Sequence, residues 1–180
     1  MKSKDIAVVG VLLAVGAVIR FVSLAIPGPI TSNLVIAFYC LAIILVSPTF
    51  KEAIGIGIVA GAICALISHS IFPPGNLISE PVGAIVCLAV WKATKKLKGV
   101  STISPGLTTL IATFFSGMVF LLTVIAVIYT APNILSKAAP AVGGFLTAGS
   151  VIVVTCAVVN AIIAQLLYIP SSKVVLRRGG

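Results

Sequence analysis

Ser68-His69-Ser70-Ile71-Phe72-Pro73-Pro74-Gly75-Asn76-Leu77-Ile78-Ser79-Glu80-Pro81 breaks into an otherwise apolar chain. It carries the only histidine, a Pro-Pro-Gly turn, an asparagine and one of three acidic residues. Apolar runs flank it, 53–67 before and 82–91 after. The pattern predicts a helix that stops, a polar elbow, and a second helix beginning near Glu80-Pro81. Proline is tolerated in a first helical turn because its missing N–H has no intrahelical partner there. Polar and ionisable groups held at the mouth of a membrane bundle are functional-site candidates. A ligand is expected here.

The frame is a membrane because of composition. The chain has 180 residues, 60% hydrophobic and 8% charged, with mean hydropathy +1.29. Soluble domains carry roughly 25% charged residues, so the expected class is an all-α, polytopic membrane protein. The length suits about six spans of ~20 residues, which leaves residues 1–180 as a single membrane domain. The net charge of +9 is scattered between apolar segments. It reads as a topology signal rather than a nucleic-acid footprint. Cys40, Cys64, Cys87 and Cys156 lie in apolar runs without C-x-x-C spacing. They read as small apolar fillers, so neither a metal nor a cofactor is expected. The apolar run after Met1-Lys2-Ser3-Lys4-Asp5 is too long for a signal-peptide core and reads as the first span.

The expected spans are about 5–24, 33–46, 53–71, 81–91, 105–129 and 145–168. In the first, Ala7, Gly10, Ala14 and Ala17 recur at steps of three and four. Such a small-residue face serves close packing inside the bundle or docking against a partner. Arg20 either snorkels to the interface or meets an anionic ligand group. Pro27-Gly28-Pro29 closes this helix. Asn33 either caps the short second span or faces a ligand. Gly57, Gly61 and Ala65 give the third span a face for close helix contact. The short fourth span implies that part of 72–80 lies at membrane depth, and Trp91 at its basic end suits an interfacial aromatic belt.

With six spans and an inner N-terminus, Lys2, Lys4, Lys51, Lys92, Lys95, Lys96, Lys98, Lys173, Arg177 and Arg178 fall on the inner side. Arg20 and Lys137 alone fall outside, so both termini are expected in the cytoplasm. Arg20, Asn33, His69, Asn76 and Glu80 then converge on the outer mouth. Arginine offers a planar donor fork for a carboxylate, and Glu80 an acceptor for an ammonium, a pairing suited to a zwitterion such as an amino acid. His69 is open to two readings, a packed helix-end residue or a ligand contact. Asp5 and Glu52 lie on the inner side, and no nucleophile–base pair, P-loop or dinucleotide fingerprint occurs. No enzyme is expected and no catalytic residue is assigned.

On these features the chain resembles the substrate-capture (S) components of energy-coupling factor transporters, with Gly10, Ala14 and Ala17 at the positions of that group's alanine-rich docking face. Within the group it is most similar to the tryptophan transporter family over 2–90. The similar residues are Ile56-Gly57-Ile58-Val59-Ala60-Gly61, Ala65-Leu66, Ser70, Phe72-Pro73, Gly75 and Asn76, with Glu80 as the acidic residue that follows. The resemblance implies capture of tryptophan, or of a vitamin, at the outer face of a prokaryotic plasma membrane. It also implies a transmembrane coupling subunit and two ATPase subunits as partners, with toppling of this component to expose the site inward. Two other readings stay open, a stand-alone carrier using His69 and Glu80 as a proton-coupled pair, and a non-transporting assembly protein.

Overall fold

A computed structural model describes residues 1–23, 33–96 and 102–177. Pro27-Gly28-Pro29, Lys98 and the 178–180 tail lie outside the described residues. The elements are α1 (Ser3–Ser23), α2 (Val35–Val46), α3 (Phe50–Leu66), α4 (Asn76–Thr94), α5 (Ser104–Thr130) and α6 (Val142–Arg177), with short 3-10 turns at Pro73–Gly75 and Pro132–Ile134. Ser3–Val22, Pro73–Thr94, Ser104–Thr130 and Val142–Val174 are long and apolar enough to cross a bilayer. The protein is an all-α polytopic membrane protein.

α2 is the hub. Val35 through Leu45 are all buried, and the helix touches each of the other five. Its sequence, VIAFYCLAIILV, has no polar stripe, as a helix packed on every side requires. At 12 residues it is about 18 Å long, short of the ~30 Å hydrocarbon core.

α1 lies at the edge. Val9, Leu13, Gly16 and Arg20 face inward at helical spacing, and Gly16 lets the backbone of Val35 and the ring of Phe38 come close. Ala7, Gly10 and Ala14 are exposed and Ala17 is half-buried. Nothing lies within 4 Å of where a Gly10 side chain would start, so this small-residue face does not pack inside the bundle.

α3 and α4 pack through Gly57 and Gly61. A methyl on Gly57 would sit 2.5 Å from Pro81 Cα, and one on Gly61 would sit 2.7 Å from the Asn76 carbonyl oxygen. Backbone atoms cannot step aside as a flexible side chain can, so both positions need glycine for this approach.

The helix expected to start near Glu80-Pro81 starts at Asn76 instead, and Pro81 lies inside it. The Pro73–Gly75 turn nucleates it, with the Asn76 N–H bonded to the Pro73 and Pro74 carbonyls. The Asn76 side-chain amide also donates to the Pro73 carbonyl at 2.8 Å. Pro81 only removes one hydrogen bond from a helix already under way. α3 correspondingly ends at Leu66, short of 71, and α6 extends beyond the expected 145–168 at both ends.

At the end of the bundle bearing Lys51, Lys92, Lys95 and Lys96, here the lysine end, α3 begins with a capping box. Thr49 Oγ1 accepts from the Glu52 N–H at 3.4 Å, and Glu52 Oε2 accepts from the Thr49 N–H at 2.7 Å. Glu52 also pairs with the N-terminal ammonium of Met1, tying the start of α1 to that of α3. That ammonium first, and then Thr49, hold the Glu52 carboxyl down at about 2. Trp91 is not a lipid-facing belt residue. It is buried, its indole N–H donates to Ser47 Oγ at 3.2 Å, and its ring meets Tyr168 edge-on at 6.1 Å. Ser47 can reach it because α2 closes in a left-handed turn at that residue, φ 47°.

Candidate functional site

The opposite end, where α1 finishes and α2 and α4 begin, is the elbow end. Here α2, α4, α5 and α6 enclose a cavity with about 590 Å³ of empty space, its mouth included. Arg20, Asn33, Asn76 and Glu80 all line it.

Glu80 sits one turn into α4 and is 1% exposed. The glycine contact of α3 with α4 fixes that turn. The Asn33 amide donates to Glu80 Oε1 at 2.5 Å and the Ser116 hydroxyl to Oε2 at 3.2 Å. The Tyr39 hydroxyl approaches the same carboxyl without making a well-formed hydrogen bond. A carboxylate this deep persists only with such donors around it.

Arg20, 2% exposed, is brought to the cavity by the inward face of α1. Its Nε donates to the Ile67 carbonyl at 2.8 Å, where a cation suits the free carbonyls that end α3. Asn33 does not cap α2, whose N-cap is Leu34 with no side-chain bond. It is bound instead on three sides. Its amide holds Glu80, its Oδ1 accepts from Cys64 Sγ at 3.4 Å, and its backbone carbonyl accepts from Asn160 Nδ2 at 2.9 Å.

His69 is not brought to this group. It is exposed and does not line the cavity, and its carbonyl accepts from Lys137 Nζ at 2.8 Å. The adjoining Ser136 N–H donates to the Ile71 carbonyl at 2.9 Å. The 131–141 segment is thus strapped across the elbow.

Sequence reasoning did not single out Ser79, Thr113, Ser116 or Asn160. Ser116, Thr113 and Ser79 line the cavity, and Asn160, fully buried, positions the Asn33 backbone. A signal was present on α5, where Thr109, Thr113 and Ser116 fall on one face of an apolar helix. The flank beyond them is apolar, formed by Phe120, Leu121, Ile152 and Val153. Among the described residues no group of three His, Cys, Asp or Glu is placed to hold a metal ion.

Long apolar helices around a mostly apolar cavity, with Arg20 and Glu80 buried in its wall, make a multi-pass membrane protein with a candidate small-ligand site. Residues 2–177 match the family described as "Tryptophan transporter TrpP", and the chain belongs to that family. It is therefore a prokaryotic membrane transporter. The chain is 28% identical over 181 residues to the probable tryptophan transport protein of Bacillus subtilis (strain 168), covering 99% of this chain and 95% of the other. No solved structure matches it.

Proposed function

We infer that this chain captures tryptophan in the cavity between α2, α4, α5 and α6, as the S component of an ATP-driven energy-coupling factor uptake transporter. The observation that carries the ligand reading is the pairing of Arg20 and Glu80, both buried, in one cavity wall. Charged residues inside a membrane bundle are rare and mark substrate sites or pathways by default. An amino acid uses both, with its carboxylate toward Arg20 and its ammonium toward Glu80. The apolar flank then receives a large side chain; family membership and the Bacillus subtilis relative's name support an indole there.

The coupled mechanism draws support from α1. Its exposed Ala7, Gly10 and Ala14 offer a flat face to a partner helix while the opposite face packs against α2 and α3. With the positive-inside bias, we place both termini and the lysine end in the cytoplasm and the elbow end outside. Residues 1–180 then act as a single membrane unit with six spans. Asn33 and Asn76 orient the charged groups, and the strap from 131–141 lies where it would cover the mouth. Energy comes from the coupling and ATPase subunits, and His69 contributes through its backbone alone.

The test is calorimetric titration of the purified protein with tryptophan, tryptamine and indole-3-propionate. Tryptophan is expected to bind saturably. Loss of its carboxylate or of its ammonium should each weaken binding by about 100-fold, since leaving a buried charge without its partner costs roughly 2–5 kcal/mol. Equal binding of all three would overturn the zwitterion site. For coupling, Gly10→Leu should leave tryptophan binding intact and abolish association with the coupling subunit. Unchanged association would remove α1 as the docking face.

A further inference from the structure

Ser79 is 1% exposed, lines the cavity, and its hydroxyl has no hydrogen-bond partner among the described residues. A hydroxyl in an apolar helix ordinarily bonds the carbonyl four residues back. Thr109, Thr123 and Thr147 all do so here. Ser79 leaves this bond unmade, and a buried hydroxyl without a partner is costly. In this helix it is available to something that enters the cavity.

Its place on α4 says what part of the ligand it meets. Gly75, one turn before it, packs against the ring of Phe120, and Gly83, one turn after it, packs against Ser116. Residues four apart share a helix face, so Ser79 lies on the stripe turned toward α5, between the levels of Ser116 and Phe120. Glu80 is the next residue round the helix. Ser79 therefore stands where the charged floor of the cavity gives way to its apolar flank. The Tyr39 hydroxyl and Asn160 Oδ1 also lack partners among the described residues, but those side chains do not line the cavity.

The next step rests on the reading that the ligand is tryptophan. Its carboxylate and ammonium are taken by Arg20 and Glu80, and its ring belongs against Phe120, Leu121, Ile152 and Val153. The ring carries one polar group, the indole N–H, a donor with no acceptor. Burying that donor unpaired in an apolar wall would cancel much of what the ring gains. We propose that Ser79 Oγ accepts the indole N–H of bound tryptophan and so sets selectivity for tryptophan over ring-matched ligands that lack this donor.

The experiment measures binding of tryptophan and of 3-(benzothiophen-3-yl)alanine, in which sulfur replaces the N–H, to the unsubstituted protein and to Ser79→Ala. The unsubstituted protein should prefer tryptophan by about tenfold or more, the value of one well-made hydrogen bond in a dry site. Ser79→Ala should narrow this preference to about twofold or less by weakening tryptophan alone, with the sulfur analogue unchanged. Equal weakening of both ligands, or an unchanged preference, overturns the proposal. Melting of the ligand-free protein gives an independent control. Having no partner to lose, Ser79→Ala should melt at the same temperature or higher, and a lower melting temperature would mean the hydroxyl has a structural partner and would overturn the assignment. If the folded, unsubstituted protein binds neither ligand, the tryptophan reading itself falls and this one with it. If it binds both equally, only the Ser79 assignment falls.

Discussion

At the lysine end of the α4–α5 interface, Thr94 Oγ1 lies 2.5 Å from Ser104 Oγ and 3.5 Å from Thr108 Oγ1. Gln165 on α6 closes the same region, accepting from the Gly106 N–H and donating to the Thr102 carbonyl, each at 2.9 Å. At the elbow end of the same interface, the Ser116 hydroxyl reaches the buried Glu80 carboxyl and the Ser79 hydroxyl has no partner among the described residues. Both ends are made of serine and threonine on apolar helices. In the first the polar groups answer one another and staple three helices. In the second they surround a cavity that contains one arginine and one glutamate. Residue type alone does not separate a staple from a binding site; satisfaction does, because buried polar groups are ordinarily paired.

Substitutions at the two ends should therefore separate affinity from stability. Glu80→Ala has the largest expected effect, a loss of more than about 100-fold in tryptophan affinity by calorimetry, because Arg20 and the ligand ammonium lose their counter-charge. Gly61→Val comes next. Its side chain would meet the Asn76 backbone and push the start of α4 outward, at about 1–3 kcal/mol of stability. Because Asn76, Ser79 and Glu80 move with that turn, affinity should fall about tenfold as well. An unchanged affinity would detach the site from the α3–α4 contact.

Thr94→Val should do the reverse of Glu80→Ala. It leaves Ser104 without its partner, costs about 1–2 kcal/mol in denaturant or thermal unfolding, and leaves tryptophan affinity within about twofold. A large affinity loss would erase the distinction between the two ends. Thr49→Ala is the smallest, about 1 kcal/mol through loss of the α3 cap, with no effect on binding. The partner in that cap titrates low. Glu52 sits at about 2 against an ordinary 4.5, so its contribution is complete above about 4.5 and disappears as pH falls toward 2. Glu52→Gln should therefore lower stability at neutral pH, where that contribution is complete, and flatten the acid side of the profile in that window, the two proteins converging toward pH 2.

Much of this was legible in the sequence. Arg20, Asn33, Asn76 and Glu80 stand out because a polar group in an apolar run must be accounted for, and the spacing of Gly57 and Gly61 announces a close helix contact, though not that α4 is the partner. The role of α2 was hidden. A helix apolar on every side has no periodicity to say what surrounds it, and only the assembled bundle makes it the hub. The start of α4 was misread because two proline signals, Pro73-Pro74 and Pro81, both fit a first turn, and the decisive Asn76 bonds are local geometry. Ser79 and Ser116 stayed unread because serine on a membrane helix is ordinarily satisfied by its own backbone.

An experimental structure of the protein with tryptophan bound would decide between these two polar regions. Tryptophan is expected in the elbow-end cavity, its carboxylate at Arg20, its ammonium at Glu80 and its ring against Phe120 and Val153. Tryptophan seated elsewhere, or in the cavity with neither charged group within hydrogen-bond reach of Arg20 and Glu80, would contradict the assignment of this cavity as the capture site.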